Sequence, residues 1–106
     1  MKILLDECLP LDFRHSFPTH DAHTVLWAGL KGTKNGELLR AAEIAGYHVL
    51  LTVDQGIPQH RPAGGTLSII LVRSRTNQIE DLLPLADAIL QALQTIQPGQ
   101  TLAIPS

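Results

Sequence analysis

The chain has 106 residues, which suffices for one compact domain with a single core and is too short for two. Apolar residues make up 44% and charged residues 17%, a globular composition that excludes a disordered chain. The formal net charge of −2 argues against a protein that coats nucleic acid through bulk positive charge. It does not exclude a nuclease, whose metal ions supply local positive charge.

The cysteine content and the hydropathy of the chain indicate the cellular compartment in which the protein is expected. The single Cys8 cannot form an intramolecular disulfide, which is typical of a reducing compartment. Asp6 and Glu7 interrupt the N-terminal apolar run, so no secretory signal is predicted. No apolar stretch approaches the roughly 20 residues that span a bilayer. We therefore expect a soluble cytoplasmic protein with no membrane partner, and residues 1–106 as a single domain.

The first predicted element is a strand that ends on acids. Residues 3–5 form a short apolar run without alternation, which predicts a strand covered on both faces in a parallel sheet. The run stops at Asp6 and Glu7, and Pro10 then indicates the first turn of a helix over 9–17. Because ligands in open α/β sheets bind beyond the carboxyl ends of the strands, these acids are candidate site residues.

A second strand and a helix are predicted next. Residues 25–28 predict a short strand, which the polar stretch 19–24 precedes. A loop rich in glycine follows over 29–36. Asn35 is then a candidate N-cap for a helix over 37–45, whose apolar residues recur at helical spacing.

The centre of the chain predicts two further strands. Gly46 is well placed to end the preceding helix. Residues 49–53 form an apolar, β-branched run that predicts a third strand, and this strand too is followed by an acid, Asp54. Residues 55–65 predict a loop, and residues 67–72 a fourth strand.

The C-terminal part predicts the longest helix and a last strand. The helix covers 77–96, where Asn77 and Glu80 resemble a capping box, and Pro84 should kink it or start it afresh. Residues 101–104 predict a fifth strand at the edge of the sheet. Because strands and helices alternate, we predict right-handed crossovers and a three-layer α/β/α sandwich with a central parallel sheet of four to five strands.

Three acids are predicted to meet at one edge of this sheet. Asp6 and Asp54 follow strands, and Glu37 opens the helix before the third strand. Ionised carboxylates brought together are costly unless a cation binds, and Mg²⁺ takes one or two carboxylates together with waters and phosphate oxygens. The hypothesis is metal-assisted attack of water on a phosphodiester, with these acids as catalytic and metal-binding residues.

Each acid also has a structural alternative. Asp6 and Glu7 are suited to cap the following helix, and Glu37 complements the dipole of its helix. Asp54 is suited to cap a turn before Gly56. The convergence of the acids, and no single one of them, therefore carries the hypothesis.

Basic and aromatic residues are secondary signals. Arg73 and Arg75 follow the fourth strand at the same edge, and Lys34 lies with Lys31 in the loop before Glu37. They are candidate nucleic-acid-binding residues that would hold phosphates, and an ordinary solvated surface is the alternative. Trp27, at the end of the predicted second strand, is interpreted as a core residue or a cover for the sheet edge.

Three segments together resemble a known family. The strings M-K-I-L-L-D-E-C-L-P, N-G-E-L-L-R-A-A and V-L-L-T-V-D-Q-G-I are similar to those of the short PIN-like family of prokaryotic proteins, related to toxin-type PIN ribonucleases. The resemblance implies a PIN-like fold with an acidic pocket that binds Mg²⁺ or Mn²⁺. By motif match, the first, second and third acids are Asp6, Glu37 and Asp54, with Glu7 in a supporting or structural role. It also implies an RNA substrate and a small antitoxin-like protein as partner.

The chain departs from the family pattern near the third acid. Val53 stands in place of the usual Arg, Gly56 in place of a second Asp, and Ile57 in place of Phe. The change at Gly56 removes a fourth carboxylate from the pattern. A catalytically weakened or inactive PIN-like binding module is therefore the alternative to an active ribonuclease.

Two further alternatives concern other functions. A phosphoacceptor receiver domain would phosphorylate Asp54 and hold Mg²⁺ at Asp6 and Glu7, but it needs a lysine after the last strand, where this chain has Pro105. A homodimer is also open, through the long C-terminal helix and the apolar residues 102–104.

Overall fold

The computed structural model describes residues 1–105, which form one parallel sheet flanked by helices on both faces. The strands are β1 (Lys2–Leu5), β2 (Asp21–Thr24), β3 (Val49–Thr52), β4 (Ser68–Val72) and β5 (Thr101–Ile104). The α-helices are α1 (Asn35–Ile44), α2 (Ile79–Leu82) and α3 (Ala86–Thr95), and 3-10 helices cover Leu11–Ser16, Ile57–His60 and Leu83–Leu85. The strand order is β2-β1-β3-β4-β5, and every neighbouring pair is parallel. The predicted α/β fold class is confirmed.

Each face of the sheet has its own apolar layer. Leu5 and Leu51 belong to one cluster of buried side chains, together with Phe13 of the first 3-10 helix and with apolar residues of α2 and α3. Leu4 belongs to the opposite cluster, together with Leu38 of α1. Because β1 and β3 are covered on both sides, their sequences are continuous apolar runs without alternation. No helix within residues 1–105 is long and apolar enough to cross a membrane.

The second strand lies earlier than predicted. Residues 25–28 form a turn, and the strand is the polar segment Asp21–Thr24, which pairs with β1 from Asp21 opposite Lys2 to Thr24 opposite Leu5. An edge strand is paired on one side only and leaves its side chains partly exposed, so it needs no apolar run. As a consequence, Trp27 lies in the exposed turn and outside the core, with 70% of its surface accessible. Its ring stacks on His23 of the edge strand β2, which agrees with the interpretation of Trp27 as a cover for the sheet edge.

The first predicted helix differs from the prediction in its type, and the second differs in its first residue. The segment predicted as a helix over 9–17 is a 3-10 helix, Leu11–Ser16. Helix α1 begins at Asn35, whose φ of 55° is left-handed, so Asn35 is not the N-cap. The predicted stop at Gly46 is confirmed, because Gly46 has a φ of 87° and its N–H donates to the Glu43 carbonyl.

The C-terminal helix is interrupted as predicted. Pro84 lies in the 3-10 turn that separates α2 from α3, since proline cannot donate the backbone hydrogen bond of a continuous helix. The predicted capping box is wrong, because the N-cap is Gln78 and the Asn77 side chain instead donates to the Cys8 carbonyl at 3.0 Å. The predicted fifth strand is confirmed, with Ile104 opposite Val72 at the edge of the sheet.

Glu43 attaches α1 to the segment that leads into β4. Its Oε1 accepts hydrogen bonds from the backbone N–H and the hydroxyl of Thr66 and from the Leu67 N–H at 3.2 Å. These donors favour the ionised carboxylate, and the Thr66 hydroxyl is the largest cause of a Glu43 pKa below the ordinary 4.5.

This contact predicts an acid-dependent part of the stability. Because the folded pKa of Glu43 lies below that of the unfolded chain, its stabilisation is present above about pH 4.5 and is lost as the pH falls through the folded pKa. We expect Glu43→Gln to lower the free energy of unfolding at neutral pH and to flatten its decline in acid. Urea denaturation at neutral and acidic pH measures both. Glu80→Gln, at an exposed glutamate of α2, is the control, and equal acid profiles for the two variants would contradict the assignment.

Candidate functional site

Two acids are brought to the same edge of the sheet by adjacent parallel strands. Leu5 of β1 lies opposite Leu51 of β3, so both chains leave the sheet in the same direction. Asp6 comes directly after β1, and its N–H donates to the Leu51 carbonyl at 3.0 Å. Asp54 comes two residues after β3. The sheet register therefore places both carboxylates where open α/β sheets bind ligands.

A cavity of about 420 Å³ opens between these strand ends. Its lining combines the strand ends with the start of α1 and the loop before it, and the residues are Asp6, Glu7, Cys8, Thr33, Lys34, Asn35, Leu38, Asp54 and Ile57. The volume lies within the range of ligand cavities. The cavity thus brings together four of the predicted site residues, which are Asp6, Glu7, Lys34 and Asp54.

The buried hydroxyl of Thr52 connects the two aspartates. Thr52 is the last residue of β3 and has no solvent-accessible surface. Its Oγ1 donates to Asp6 Oδ2 at 2.7 Å and accepts from the Asp54 N–H at 3.0 Å. One side chain therefore orients the carboxylate of the first acid and the backbone of the second.

Asp6 accepts two further hydrogen bonds from its own segment. The Glu7 N–H donates to Asp6 Oδ1 at 2.9 Å, and the Cys8 thiol lies 3.5 Å from Oδ2. Burial raises the pKa of the Cys8 thiol above its ordinary 9.0, and the charge of Asp6 adds to the rise. Cys8 is therefore a protonated donor at neutral pH and not a reactive thiolate.

Asp54 forms a hydrogen bond that holds a turn, and the residue is exposed to solvent. Its Oδ1 accepts from the Gly56 N–H at 2.9 Å and closes a turn after β3, the structural alternative that the sequence left open. The residue is exposed and lines the cavity, and its Oδ2 forms no hydrogen bond within residues 1–105. Asp54 thus serves the turn and still presents a carboxylate oxygen.

Glu7 fixes the loop that closes one side of the cavity. Its Oε1 accepts from the Gly32 N–H at 2.8 Å, across 25 positions of the chain. Lys34, two residues after Gly32, lies in the cavity lining. The Glu7 carboxylate therefore supports the loop that carries the one lysine of the lining.

Three predicted site residues lie outside the cavity lining. Glu37 is exposed on the first turn of α1 and does not belong to the cavity lining, whereas the next residue, Leu38, does. Arg73 and Arg75 are exposed beyond the end of β4. Among residues 1–105, no group of three or more His, Cys, Asp or Glu side chains is arranged to hold a metal ion. The described site is a pair of aspartates.

Thr52 is the site residue that the sequence did not reveal. Within the apolar run 49–53 it looks like one more β-branched strand residue. The available signal was a hydroxyl at the end of a strand covered on both faces, since a buried hydroxyl needs a hydrogen-bond partner. The partner could only be identified once β1 was placed beside β3.

Known proteins offer no guide to this site. Comparisons of the chain with models of protein families, with curated proteins and with solved structures found no match. A functional proposal therefore depends on the geometry of the cavity and on the chemistry of its residues.

Because Thr52 links the two aspartate segments, we expect the nearly isosteric change of Thr52 to valine to lower the stability of the protein. Thr52→Val keeps the shape of the side chain but leaves the Asp54 N–H without its acceptor and removes the hydroxyl donor of Asp6 Oδ2. We expect the free energy of unfolding to fall by about 1–3 kcal/mol. Urea denaturation measures it, with Thr101→Val on the exposed edge strand β5 as the control. Equal stability of both variants would show that the linkage contributes nothing.

Proposed function

We propose that this protein is a metal-dependent ribonuclease of PIN-like type that hydrolyses phosphodiester bonds in the cavity between Asp6 and Asp54. The observation that carries the proposal is the placement of these aspartates at the ends of adjacent parallel strands, where a buried hydroxyl bonds the Asp6 carboxylate and the Asp54 backbone N–H. The resemblance of the segments around Asp6, Glu37 and Asp54 to PIN-like proteins supports the same reaction. A cytoplasmic location, where RNA is available, belongs to the proposal.

The donor set fits a hard divalent cation. Two aspartates supply carboxylate oxygens, and Mg²⁺ typically takes one or two carboxylates and fills its remaining positions with waters and substrate phosphate. The lining contains one sulfur, that of Cys8, beside the carboxylate oxygens of Asp6, Glu7 and Asp54, so oxygen is the prevailing donor. When bound, Mg²⁺ or Mn²⁺ would activate a water and offset the charge on the leaving oxygen.

The protein's own residues hold the reacting groups in place. Thr52 and the Glu7 N–H keep the Asp6 carboxylate in one orientation, which limits the reorganisation that binding requires. Lys34 in the lining is suited to hold a non-bridging phosphate oxygen. Arg73 and Arg75, beyond the next strand, would contact the RNA backbone outside the cavity.

The remaining acids have lesser roles in this proposal. Glu7 is engaged with Gly32 and supports the loop, and Glu37 adds negative charge near the start of α1. The resemblance also favours a toxin–antitoxin pair as the biological setting. A small antitoxin-like protein would then block access to the cavity.

Conservative replacement of the two aspartates tests the mechanism. We expect Asp6→Asn and Asp54→Asn each to lower cleavage of single-stranded RNA by about a hundredfold or more, since loss of even outer groups around a metal costs about 10–100-fold. Cleavage should require Mg²⁺ or Mn²⁺ and should stop with a chelator. Gel analysis of a labelled oligoribonucleotide measures the rates.

Two matched variants complete this experiment. Asp87→Asn, at an exposed aspartate of α3, should cleave like the unaltered protein. Glu37→Gln should lose less activity than Asp54→Asn, because Glu37 lies outside the cavity lining. Unchanged cleavage in Asp6→Asn and Asp54→Asn would sink the proposal.

A second candidate, a PIN-like binding module without catalysis, is favoured by the surroundings of Gly56. Its backbone has φ −84° and ψ −17°, which any residue adopts, so glycine is not required there by conformation. A Cβ at this position would meet Asp54 Oδ1 at an ordinary 3.4 Å. An acidic residue would therefore fit beside Asp54, and its absence leaves the site with fewer ligands.

Restoring the acid separates the two candidates. We expect Gly56→Asp to bind Mn²⁺ about tenfold more tightly than the unaltered protein, because added ligand charge strengthens binding of hard cations. Titration calorimetry measures the affinity, with Gly56→Ala as the control for the side chain itself. If the unaltered protein binds no Mn²⁺ and cleaves no RNA but still binds the oligoribonucleotide, the binding module is the correct function.

A further inference from the structure

Trp27 is the only tryptophan of the chain, and 70% of its surface is exposed. It lies in the turn after the edge strand β2, beside a hollow of about 440 Å³ that we call the Trp27 hollow. The hollow is lined by Leu11, Arg14, Ala22, His23, Thr24 and Trp27. Neither the aspartate site nor the core explains why so large an aromatic side chain is left in solvent.

The indole is held in place although it is exposed. The His23 ring stacks on it, with 3.9 Å between ring centroids and 28° between planes. His23 Nδ1 in turn forms a 3.0 Å hydrogen bond with the Tyr47 hydroxyl, and the Trp27 N–H of the backbone donates to Thr24 Oγ1 at 3.1 Å. A ring already fixed in this way loses little entropy when it binds a ligand.

The Trp27 hollow and the cavity between the aspartates both adjoin a third hollow. This third hollow has a volume of about 350 Å³ and includes Lys31. It shares Asp6 and Glu7 with the aspartate cavity, and it shares Leu11 and Thr24 with the Trp27 hollow. The three spaces are therefore neighbours around β1 and β2, and together we call them the groove.

The charges along this groove fit a nucleic-acid strand. Each of its three parts has one strongly basic side chain in its lining: Lys34 in the aspartate cavity, Lys31 in the middle and Arg14 beside Trp27. The acids lie in the first two parts, and the Trp27 hollow contains none. The three basic side chains offset the three carboxylates of the groove, and Arg14 gives the Trp27 hollow a positive charge of its own. An exposed aromatic ring beside a cationic side chain suits a single strand, because a base stacks on the ring and the cation contacts the phosphate.

We propose that the Trp27 hollow is a base-stacking subsite for single-stranded RNA that lies along this groove. The indole stacks with one unpaired base, and Arg14 contacts an adjacent phosphate. The identity of the strand as RNA rests on the proposed ribonuclease function, but stacking needs neither a metal ion nor cleavage. Double-stranded RNA does not fit, because its bases are already stacked within the helix.

The fluorescence of Trp27 tests the subsite directly, because no other tryptophan contributes. The unaltered protein is titrated with an oligouridylate in the presence of a chelator, so that binding is observed without cleavage. We expect saturable quenching of the tryptophan emission. The same concentration of duplex RNA should quench much less.

The affinities of variants for a labelled oligouridylate measure the contribution of each side chain to binding. Trp27→Ala should weaken binding by about 5- to 140-fold, which corresponds to the 1–3 kcal/mol of one stacked base. Trp27→Phe should recover part of the affinity. Ile44→Ala, at an 86% exposed apolar residue of α1, is the control and should bind normally.

Arg14→Gln should weaken binding and reduce its salt dependence, because Arg14 contacts a phosphate. Arg40→Gln on α1 is the control and should change neither.

The outcomes distinguish this inference from the proposed function. Quenching with no metal-dependent cleavage would leave the subsite standing and overturn the ribonuclease. Cleavage without quenching, equal quenching by duplex RNA, or normal binding by Trp27→Ala would overturn the subsite. Emission that changes with protein concentration in the absence of RNA would assign Trp27 to a contact between two copies of the chain, which also overturns it.

Discussion

The hydroxyl of Thr52 is the interaction on which the site depends. It is buried between two strands, and it is used both as donor and as acceptor, so no polar group is left unsatisfied inside the sheet. Its partners belong to different strand ends, one through the Asp6 carboxylate and the other through the Asp54 backbone. The relative position of the two segments is therefore set by the pairing of β1 with β3, and the turn at Gly56 then holds the Asp54 carboxylate.

Around this rigid pair, loops supply the groups that would contact a ligand. Local backbone hydrogen bonds shape the turn and loop after β2, and the Gly32 N–H attaches the loop to Glu7. Lys31, Lys34 and Trp27 all lie in this part of the chain. A division with acids at strand ends and contact residues on loops is common, because a packed sheet positions reactive groups while loops adapt to the substrate.

The correct predictions of the fold and of the site both came from the strands that are covered on both faces. The apolar runs of β1, β3 and β4 identified these strands, and the acids that follow two of them located the site. The segment Asp21–Thr24 carried no such pattern, because an edge strand is stabilised by backbone pairing with its neighbour. The error at β2 also misplaced Trp27, since a residue expected at the end of a strand lies in an exposed turn.

Sequence alone thus determined the layered α/β architecture and the two aspartates, since burial on both faces and the direction of parallel strands follow from residue order. The tertiary structure decided which side chains meet. It placed Thr52 between the Asp6 carboxylate and the Asp54 backbone, left Glu37 outside the cavity lining, and placed the hollow at Trp27 near the site. These contacts join residues far apart in the chain, and their distances depend on strand register and on helix rotation, which local residue patterns do not encode.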